Sequence, residues 1–400
     1  SLLETAINKK PKIQQMANRL SDHFSTTILA LSFVTFIVWW AWPHSFETSL
    51  MIGISVIVIA CPCALALATP VATLVGLSLG AKKGILFKEA AQLETMAKVD
   101  TLVLDKTGTL TLGKPEVLKE HIYEEFDKKL LFSLVKSSKH PVACGIYKYI
   151  NESNTNQEGI ILDEYTQVPA CGISAKYMGL ELLGGNLKLM QNNNIEVDYS
   201  NENTIFYFAI DNRVVAIYEL SDTIKSNAKE MVANLKNRGI EIIMLTGDNA
   251  HIAQKVATEV GIELYMSEQT PQDKLAYIEK LQEQKRTIVM VGDGVNDILA
   301  LARADIGIVM GSGSDIAVDI GDVVLLNDSL QSLEDAFKIS RTTYQLIKQN
   351  LGISLLYNAV TIPLAMAGYI LPLMAAISMS LSSLLVVGNS MRIKIKWTKG

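Results

Sequence analysis

Four long apolar segments are the feature that most limits what this chain of 400 residues can fold into. They lie at about Thr27–Pro43, Leu50–Gly80, Leu351–Leu371 and Leu373–Met391. A helix needs ~20 mostly apolar residues to cross a bilayer, so all four predict membrane-spanning helices, the first only marginally. Hydrophobic residues make up 49% of the chain and charged residues 19%, a balance that favours membrane helices combined with polar domains.

Basic residues predict how these helices are oriented. Lysine and arginine residues precede the first and third segments and follow the second and fourth, while the loops 43–49 and 369–372 contain neither. By the positive-inside rule, both termini and the long middle region, 82–348, are expected to be cytoplasmic, in a multi-pass protein of the cell membrane. The alternative is that the segments are core helices of a soluble protein. The net charge is −5 and no basic stripe is visible, so no nucleic-acid partner is expected.

The middle region alternates between β-rich and helical patterns. The runs "VDTLVLDKT", "IEIIMLTGD" and "RTIVMVGDG" predict buried parallel strands with functional loops at their carboxyl ends. Helical stretches such as "SNAKEMVANLKNRG" lie between them, which predicts an α/β fold with a doubly wound parallel sheet. Between Lys114 and Leu220 the pattern changes, and "TIFYFAIDNRVVAIYEL" predicts an antiparallel hairpin with "DNR" at its turn. This part is expected to be an inserted α+β domain.

Several motifs in the middle region predict phosphate chemistry. "DKTGTLT" begins at Asp105, directly after a predicted strand, where an aspartate can act as a nucleophile towards phosphorus. Thr246 in "LTGDN" can hydrogen-bond a phosphoryl oxygen, and Lys274 in "TPQDK" can neutralise its charge. Oxygen ligands suited to Mg²⁺ follow another predicted strand, in "GDGVND". They are Asp293, Asn296 and Asp297.

The apolar run "VIVIACPCALALATPVATLVG" contains Cys61, Pro62 and Cys63. The proline opens the helix and the two thiols flank the opening, which membrane helices tolerate where the freed backbone lines a buried site. Possible partners on the last two segments are neutral or sulfur-containing, and no charged residue or histidine lies between 351 and 391. Two thiolates with such partners suit a soft monovalent ion, Cu(I) or Ag(I). The partners are Tyr357, Asn358, Met379, Ser382 and Ser383.

Together, "DKTGTLT", "TGDN" and "GDGVND" resemble the phosphorylation-domain signatures of P-type ATPases, within the haloacid-dehalogenase superfamily. The resemblance covers nearly the whole chain, and the heptapeptide is highly specific. It implies that ATP phosphorylates Asp105, and that Mg²⁺ is bound by Asp105, the Thr107 carbonyl and Asp293, to which we add Asp297 as a ligand. The remaining residues that the resemblance places in catalysis are Lys106, Thr107, Thr109, Thr246, Gly247, Asp248, Lys274 and Asn296.

The inserted domain is similar to the nucleotide-binding domain of the heavy-metal branch of this family. "SSKHP" places His140 as the adenine contact, "PACGISA" keeps Gly172, and "GGN" supplies Gly185 and Asn186. Lys139 and Ala170 stand where the branch usually has glutamate and glycine. Asp222 falls where the family has a hinge acid.

The resemblance also predicts the domain bounds. They are a lead-in (1–26), two membrane helices (27–81), the first part of the phosphorylation domain (82–114), the nucleotide-binding domain (115–220), the second part of the phosphorylation domain (221–345), two more membrane helices (346–391) and a tail (392–400). The family's actuator loop, Thr-Gly-Glu, and its earlier spans are not found, so the chain is expected to be a truncated form or one part of a longer protein.

The membrane motifs resemble those of the copper(I) branch. The resemblance implies ATP-driven export of Cu(I), with Ag(I) as a possible cargo, through Cys61, Cys63, Tyr357, Asn358, Met379 and Ser383. It also implies the lipid bilayer and a copper chaperone as partners. The alternatives are a pump for Zn²⁺ or Cd²⁺, a membrane-anchored phosphatase without transport, and a regulatory or metal-sensing fragment. The four cysteines do not form the pattern of a disulfide framework, and Cys144 and Cys171 are expected to be small buried residues.

Overall fold

The computed structural model of the chain describes residues 12–42, 44–61, 63–138, 140–153, 159–168, 171–199 and 203–398. The helices are α1 Lys12–Ala41, α2 Phe46–Ile59, α3 Cys63–Lys82, α4 Ala90–Met96, α5 Lys128–Lys136, α6 Pro141–Ser153, α7 Leu187–Asn192, α8 Ala228–Lys236, α9 Ala250–Val260, α10 Pro271–Glu283, α11 Ile298–Arg303, α12 Asp315–Ile320, α13 Leu330–Met366 and α14 Pro372–Thr398. The strands are β1 Ile85–Phe87, β2 Thr101–Asp105, β3 Glu116–Ile122, β4 Asp163–Val168, β5 Gly172–Tyr177, β6 Leu180–Gly185, β7 Thr204–Ile210, β8 Arg213–Ser221, β9 Glu241–Leu245, β10 Leu264–Met266, β11 Ile288–Gly292, β12 Ile306–Met310 and β13 Val323–Leu325.

The larger sheet carries the predicted phosphate motifs. Its order in the described residues is β1-β13-β12-β11-β2-β9-β10. Strands β2, β11 and β12 are buried at every position, because a sheet with helices on both faces leaves no strand residue facing water. Parallel pairs such as β9–β10 and β12–β13 confirm the predicted α/β fold, but β1 runs antiparallel to β13 at the edge, which the prediction of a parallel sheet did not include.

The inserted domain is built on a smaller, antiparallel sheet. The described strands follow the order β3-β8-β7-β6-β5-β4. The predicted hairpin is confirmed as β7 and β8, joined at Asp211 and Asn212, whose φ angles of 45° and 64° give the two-residue turn that matches the twist of the strands. Helices α5 and α6 cover one face of this sheet, where Leu131, Ile146 and Phe208 are among the buried residues of the core.

Most of the described residues of the apolar segments are helical. The second is divided in two: α2 ends at Ile59 and α3 begins at Cys63, with Ala60 and Cys61 outside both helices. By length and composition, Pro372–Ile393 could cross a membrane; Thr26–Ala41, Phe46–Ile59 and Ala66–Lys82 are shorter apolar helices. The four spans, their orientation and the domain bounds therefore stay predictions.

Two compact units can be distinguished by their internal contacts. One consists of Val103–Tyr277 and Val291–Leu299, and it contains the phosphate motifs and the inserted domain. The other consists of Ser1–Leu102, Ile278–Met290 and Ala300–Gly400, and it contains the apolar helices. In the second unit, Ile28, Val56 and Ile362 are among the residues that form a buried apolar cluster. The indole nitrogen of Trp39 donates to the Met366 carbonyl at 2.9 Å.

Gly145 limits how closely α6 can approach the start of the inserted domain. A Cβ at this position would lie 2.1 Å from the Pro115 carbonyl oxygen. We expect Gly145→Ala to lower the melting temperature, because the clash costs about 1–3 kcal/mol and outweighs a gain in helix propensity of at most about 1 kcal/mol. Thermal unfolding followed by circular dichroism measures the change.

Gly352→Ala is the matched control for this substitution. Gly352 is also in a helix interior, and a Cβ at this position would meet nothing within 4 Å among the described residues. We expect this variant to be as stable as the wild type or more stable. Equal melting temperatures for the two alanine variants would contradict the proposed contact with Pro115.

Candidate functional site

Asp105 is the last residue of β2 and begins the loop Lys106–Leu110. Its Oδ2 accepts a hydrogen bond from the Thr107 backbone nitrogen at 3.0 Å, which turns the carboxylate towards the loop. Gly108 follows with φ of 69°, a conformation that favours glycine. The side chain of Asp105 is nonetheless almost completely buried, so its charge must be balanced inside the protein.

Lys274 supplies that balance. Its Nζ donates to Asp105 Oδ1 at 2.5 Å and to Asp297 Oδ1 at 2.7 Å, and its side chain is only 4% exposed. It lies in the first turn of α10, while Asp297 follows β11 by five residues. One buried ammonium thus joins the carboxylates of two different motifs.

Asp293 completes a cluster of three carboxylates. Oxygens of Asp105, Asp293 and Asp297 lie within 4.8 Å of one another, a spacing that could hold a metal ion. Glycines make the close approach possible: a Cβ on Gly108 would lie 1.7 Å from Asp293 Oδ2, and one on Gly292 would lie 2.5 Å from Asp297 Oδ2. Carboxylates crowded at this density are ligands that suit Mg²⁺.

Burial and mutual repulsion disfavour the charged forms of these acids. Burial, with the Asp297 charge, raises the pKa of Asp105 to about 7, although Lys274 and Lys106 oppose this. Burial and the Asp105 charge raise the pKa of Asp293 to about 6, and burial raises the pKa of Asp297. Burial would lower the pKa of Lys274, but Asp105 and Asp297 raise it to about 12. The cluster therefore has an excess of negative charge that a cation would relieve.

The predicted threonine motif lies beside the same loop. Thr246 Oγ1 donates to Asp248 Oδ2 at 2.8 Å, and Asp248 Oδ2 pairs with Lys106 Nζ at 2.9 Å. Thr109 is fully buried, and its Oγ1 has no hydrogen-bond partner among the described residues. Gly247 and Asn296 are exposed. The loop thus holds an unused hydroxyl, which fits the binding of a further polar group.

The predicted nucleotide residues line one cavity of about 440 Å³ in the inserted domain. Gly172 and Gly185 are paired between β5 and β6. A Cβ on Gly172 would lie 2.2 Å from the Gly184 carbonyl oxygen, and a Cβ on Gly185 would lie 2.2 Å from the Cys171 carbonyl oxygen. His140 precedes α6, and its Nδ1 accepts from Val142 at 3.3 Å; burial lowers its pKa. Asn186 caps α7. The departures, Lys139 and Ala170, lie outside the described residues.

Sequence reasoning missed several residues of this cavity. Ser138, Cys171, Gly184 and Phe206 also line it, although Cys171 was expected to be only a packing residue. The pattern carried little signal for them, because each is a small or apolar residue whose position depends on how β5, β6 and β7 pair. The neighbouring glycines Gly184 and Gly185 were the best available indication.

The predicted ion ligands lie in the unit of apolar helices. Cys61 follows the end of α2, and the side chain of Cys63 lies outside the described residues. Tyr357 packs against the cluster that contains Ile59 and Ala60, and its hydroxyl donates to Ser378 Oγ at 3.0 Å. Asn358 is buried, whereas Met379 and Ser383, one turn apart in α14, are half-buried.

Comparison with known proteins gives the family. The sequence profile of the haloacid dehalogenase-like hydrolases matches residues 99–305. The chain belongs to the haloacid dehalogenase-like hydrolases. Its relatives include copper-exporting P-type ATPases from Staphylococcus epidermidis, 38% identical over 98% of the chain, and from Staphylococcus aureus, 39% identical over 98%. These sequence identities confirm the predicted resemblance to copper P-type ATPases. The chain spans about half the length of these curated relatives, 51% and 50%.

Solved structures of metal-transporting ATPases have an architecture similar to that of this chain. A zinc-transporting PIB-type ATPase in the E2.Pi state is 28% identical, with a TM-score of 0.75 over 98% of this chain and 66% of that one. The catalytic domain of the CPx-ATPase CopB-B is 28% identical, with a TM-score of 0.55 over 66% of this chain and 98% of that one. The first of these matches includes the apolar helices as well as the hydrolase fold.

The excess of buried acids predicts a pH-dependent stability. Because folding raises the pKa of Asp105 from its ordinary 3.8 to about 7, its stabilisation is complete below about pH 4 and is lost as pH rises through about 7. Without Mg²⁺, we expect Asp105→Asn to raise the melting temperature by several degrees at about pH 8 and much less at about pH 5. Lys274 keeps Asp297 as a partner in this variant.

Asp163→Asn serves as the control, because Asp163 is exposed in the inserted domain. We expect it to change the melting temperature equally little at both pH values. A wild type that is as stable as Asp105→Asn at about pH 8 would show that the buried charge is already compensated.

Proposed function

We propose that this chain carries the phosphorylation site and the ion-binding site of an ATP-driven copper(I) exporter, with an aspartyl phosphate formed at Asp105. The observation that carries the proposal is the buried Asp105 carboxylate, held by Lys274 at 2.5 Å beside two further acids. An aspartate that only forms a turn or caps a helix has no need to be buried or to be paired with a lysine, as Asp105 is. Homology to copper-exporting P-type ATPases along 98% of the chain supports the same reading.

In the proposed step, an Asp105 carboxylate oxygen attacks the γ-phosphorus of ATP. A new oxygen–phosphorus bond forms, the bond from that phosphorus to the bridging oxygen breaks, and ADP leaves with the electron pair. Phosphoryl transfer of this kind depends mainly on positioning and charge neutralisation. Lys274 can neutralise the transferred group, and Thr246 and Thr109 offer hydroxyls to its oxygens.

Mg²⁺ fits the residues of this site. Asp105, the Thr107 carbonyl, Asp293 and Asp297 would hold it, since the three carboxylates already lie within 4.8 Å of one another and their charge is in excess. When bound, the ion supplies positive charge that favours the ionised acids and offsets the phosphate charge. Asn296, exposed on the same turn, remains a proposed contributor.

The cavity of the inserted domain is the proposed adenine site. His140 lies at its rim in front of α6, and its lowered pKa keeps the imidazole neutral and suited to stacking on a base. The paired glycines Gly172 and Gly185 leave one wall without side chains. A volume of about 440 Å³ is in the range of small-molecule pockets.

For the transported ion we propose Cu(I), with Ag(I) as an analogue, bound by Cys61, Cys63, Tyr357, Asn358, Met379 and Ser383. The absence of charged residues between 351 and 391 in the sequence favours a monovalent over a divalent ion, because a buried divalent charge would need more compensation. A lipid bilayer and a copper-delivering chaperone are the expected partners. Zinc is the second candidate, because the solved structure that matches 98% of the chain is that of a zinc-transporting ATPase.

Phosphorylation from ATP labelled on its γ-phosphate tests the proposal. With Mg²⁺, a reductant and Cu(I) or Ag(I), we expect an acid-stable phosphoprotein that hydroxylamine cleaves. Asp105→Asn should abolish the label, because an amide cannot act as the nucleophile. A phosphoprotein that persists in Asp105→Asn would contradict the assignment of the nucleophile.

The metal dependence is tested by replacing both Cys61 and Cys63 with serine. We expect this variant to lose stimulation by Cu(I) and Ag(I), since the soft ligands are removed. Cys144→Ser is the control, because this cysteine is free and exposed in the inserted domain, where the sequence had wrongly predicted a buried residue. Stimulation by Zn²⁺ but not by Cu(I) or Ag(I) would favour the zinc pump. Hydrolysis of small phosphate esters without a labelled intermediate would favour a phosphatase.

A further inference from the structure

The inserted domain leaves and rejoins the catalytic fold through two neighbouring segments, which we call the return ribbon: 111–114 and 222–225. Leu112 nitrogen donates to the Thr223 carbonyl at 2.9 Å, and Thr111 forms a bridge with Ile224. Asp222 accepts from the backbone nitrogens of Gly113 and Lys114, both at 3.2 Å. The first segment of the ribbon directly follows the loop that begins with Asp105.

Lys225 extends this ribbon into the loop itself. Its backbone nitrogen donates to the Leu110 carbonyl at 2.9 Å, and its side-chain Nζ donates to the Gly108 carbonyl oxygen at 2.9 Å. Both contacts bind the same residue to the catalytic loop, one at its end and one at its middle. The side chain is half-buried, so the charged bond is partly shielded from water.

Gly108 is the residue of the loop that lies against Asp293. Its missing side chain leaves Asp293 Oδ2 so close that a Cβ would be 1.7 Å away. Lys225 therefore contacts the loop at a residue that also lies against the acid cluster.

We propose that Lys225 is a positioning residue that holds the Gly108 carbonyl and thereby sets the geometry of the Asp105–Asp293 pair for a divalent cation. It acts through the loop and does not itself contact the reacting atoms. The ordinary alternative is a lysine that merely stabilises the fold at a domain junction. The two readings differ, because only the first requires the strength of cation binding to depend on the Lys225 side chain.

The hydrogen bond from Lys225 to Gly108 also links the return segment of the inserted domain to the loop beside the acid cluster. Lys225 is the last residue of the ribbon by which the domain returns, so a movement of the domain about the ribbon would change the position of Nζ relative to Gly108. This consequence rests on the proposed function, in which nucleotide binds to the inserted domain and reacts at Asp105. The positioning role itself does not need that function.

Two measurements on the whole chain test the proposal without relying on turnover. The first is the Mg²⁺ concentration at the midpoint of thermal stabilisation. In Lys225→Met we expect this midpoint to rise about tenfold, the loss typical of one charged hydrogen bond. The second is amide hydrogen exchange, which should become faster at residues 108–112. Lys225→Arg should restore both to within about twofold of the wild type, because it keeps a charged donor.

Lys229→Met is the matched control, since Lys229 is exposed in the first turn of α8, four residues further along the chain. It should change neither measurement. A wild-type Mg²⁺ midpoint in Lys225→Met, or an equal rise in Lys229→Met, would overturn the proposal. So would a failure of Lys225→Arg to improve on Lys225→Met.

Phosphorylation from ATP separates this inference from the proposed function. We expect Lys225→Met to raise the Mg²⁺ midpoint for phosphorylation while leaving the ATP midpoint unchanged. If the wild type forms no phosphoprotein but the thermal midpoint still shifts, the proposed function fails and the positioning role stands. If the phosphoprotein forms with equal Mg²⁺ midpoints in both proteins, the positioning role fails.

Discussion

The shared hydrogen bonds of Lys274 to Asp105 and Asp297 are the interaction on which the catalytic fold depends. Three carboxylates within 4.8 Å would repel one another strongly, and burial makes each charge more costly. The Lys274 ammonium lies 2.5 Å from Asp105 Oδ1 and 2.7 Å from Asp297 Oδ1, and it offsets part of this repulsion. One positive charge does not neutralise three carboxylates. The fold can hold this deficit because β2, which ends in Asp105, and β11, which Asp293 and Asp297 follow, are buried along their whole length.

This deficit is also what makes the site useful. A site that was neutral at rest would gain little from a cation and would offer a weak nucleophile. Here burial raises the pKa of Asp105 to about 7 and that of Asp293 to about 6. These shifts reflect an unfavourable energy of the ionised acids, and a cation that relieves it would bind more tightly by that amount. The close approach of the acids is possible because Gly108 and Gly292 have no side chain.

Much of this could be predicted from the sequence, because local patterns determined it. The strands before "DKT" and "GDG" are short apolar runs, and the hairpin turn needs Asp211 and Asn212 in a conformation that these residue types accept. Other features depend on tertiary contacts and left no such pattern. β1 pairs antiparallel because of where the chain returns to the sheet edge, and Lys225 is one of many lysines until its contact with Gly108 is known.

The separation of the acids and their partner along the chain has a consequence for synthesis. Asp105 and Lys274 are 169 positions apart, and the whole inserted domain lies between them. A ribosome adds residues from the amino end, so Asp105 emerges long before the lysine that neutralises it. The contacts that complete the catalytic sheet are therefore late and non-local, which slows folding. The inserted domain, whose strands pair mostly with their neighbours in sequence, can fold during this interval and bring the two ends of the return ribbon together. The Asp105–Lys274 pair can therefore form only after the inserted domain, which we propose to bind the substrate, has been made.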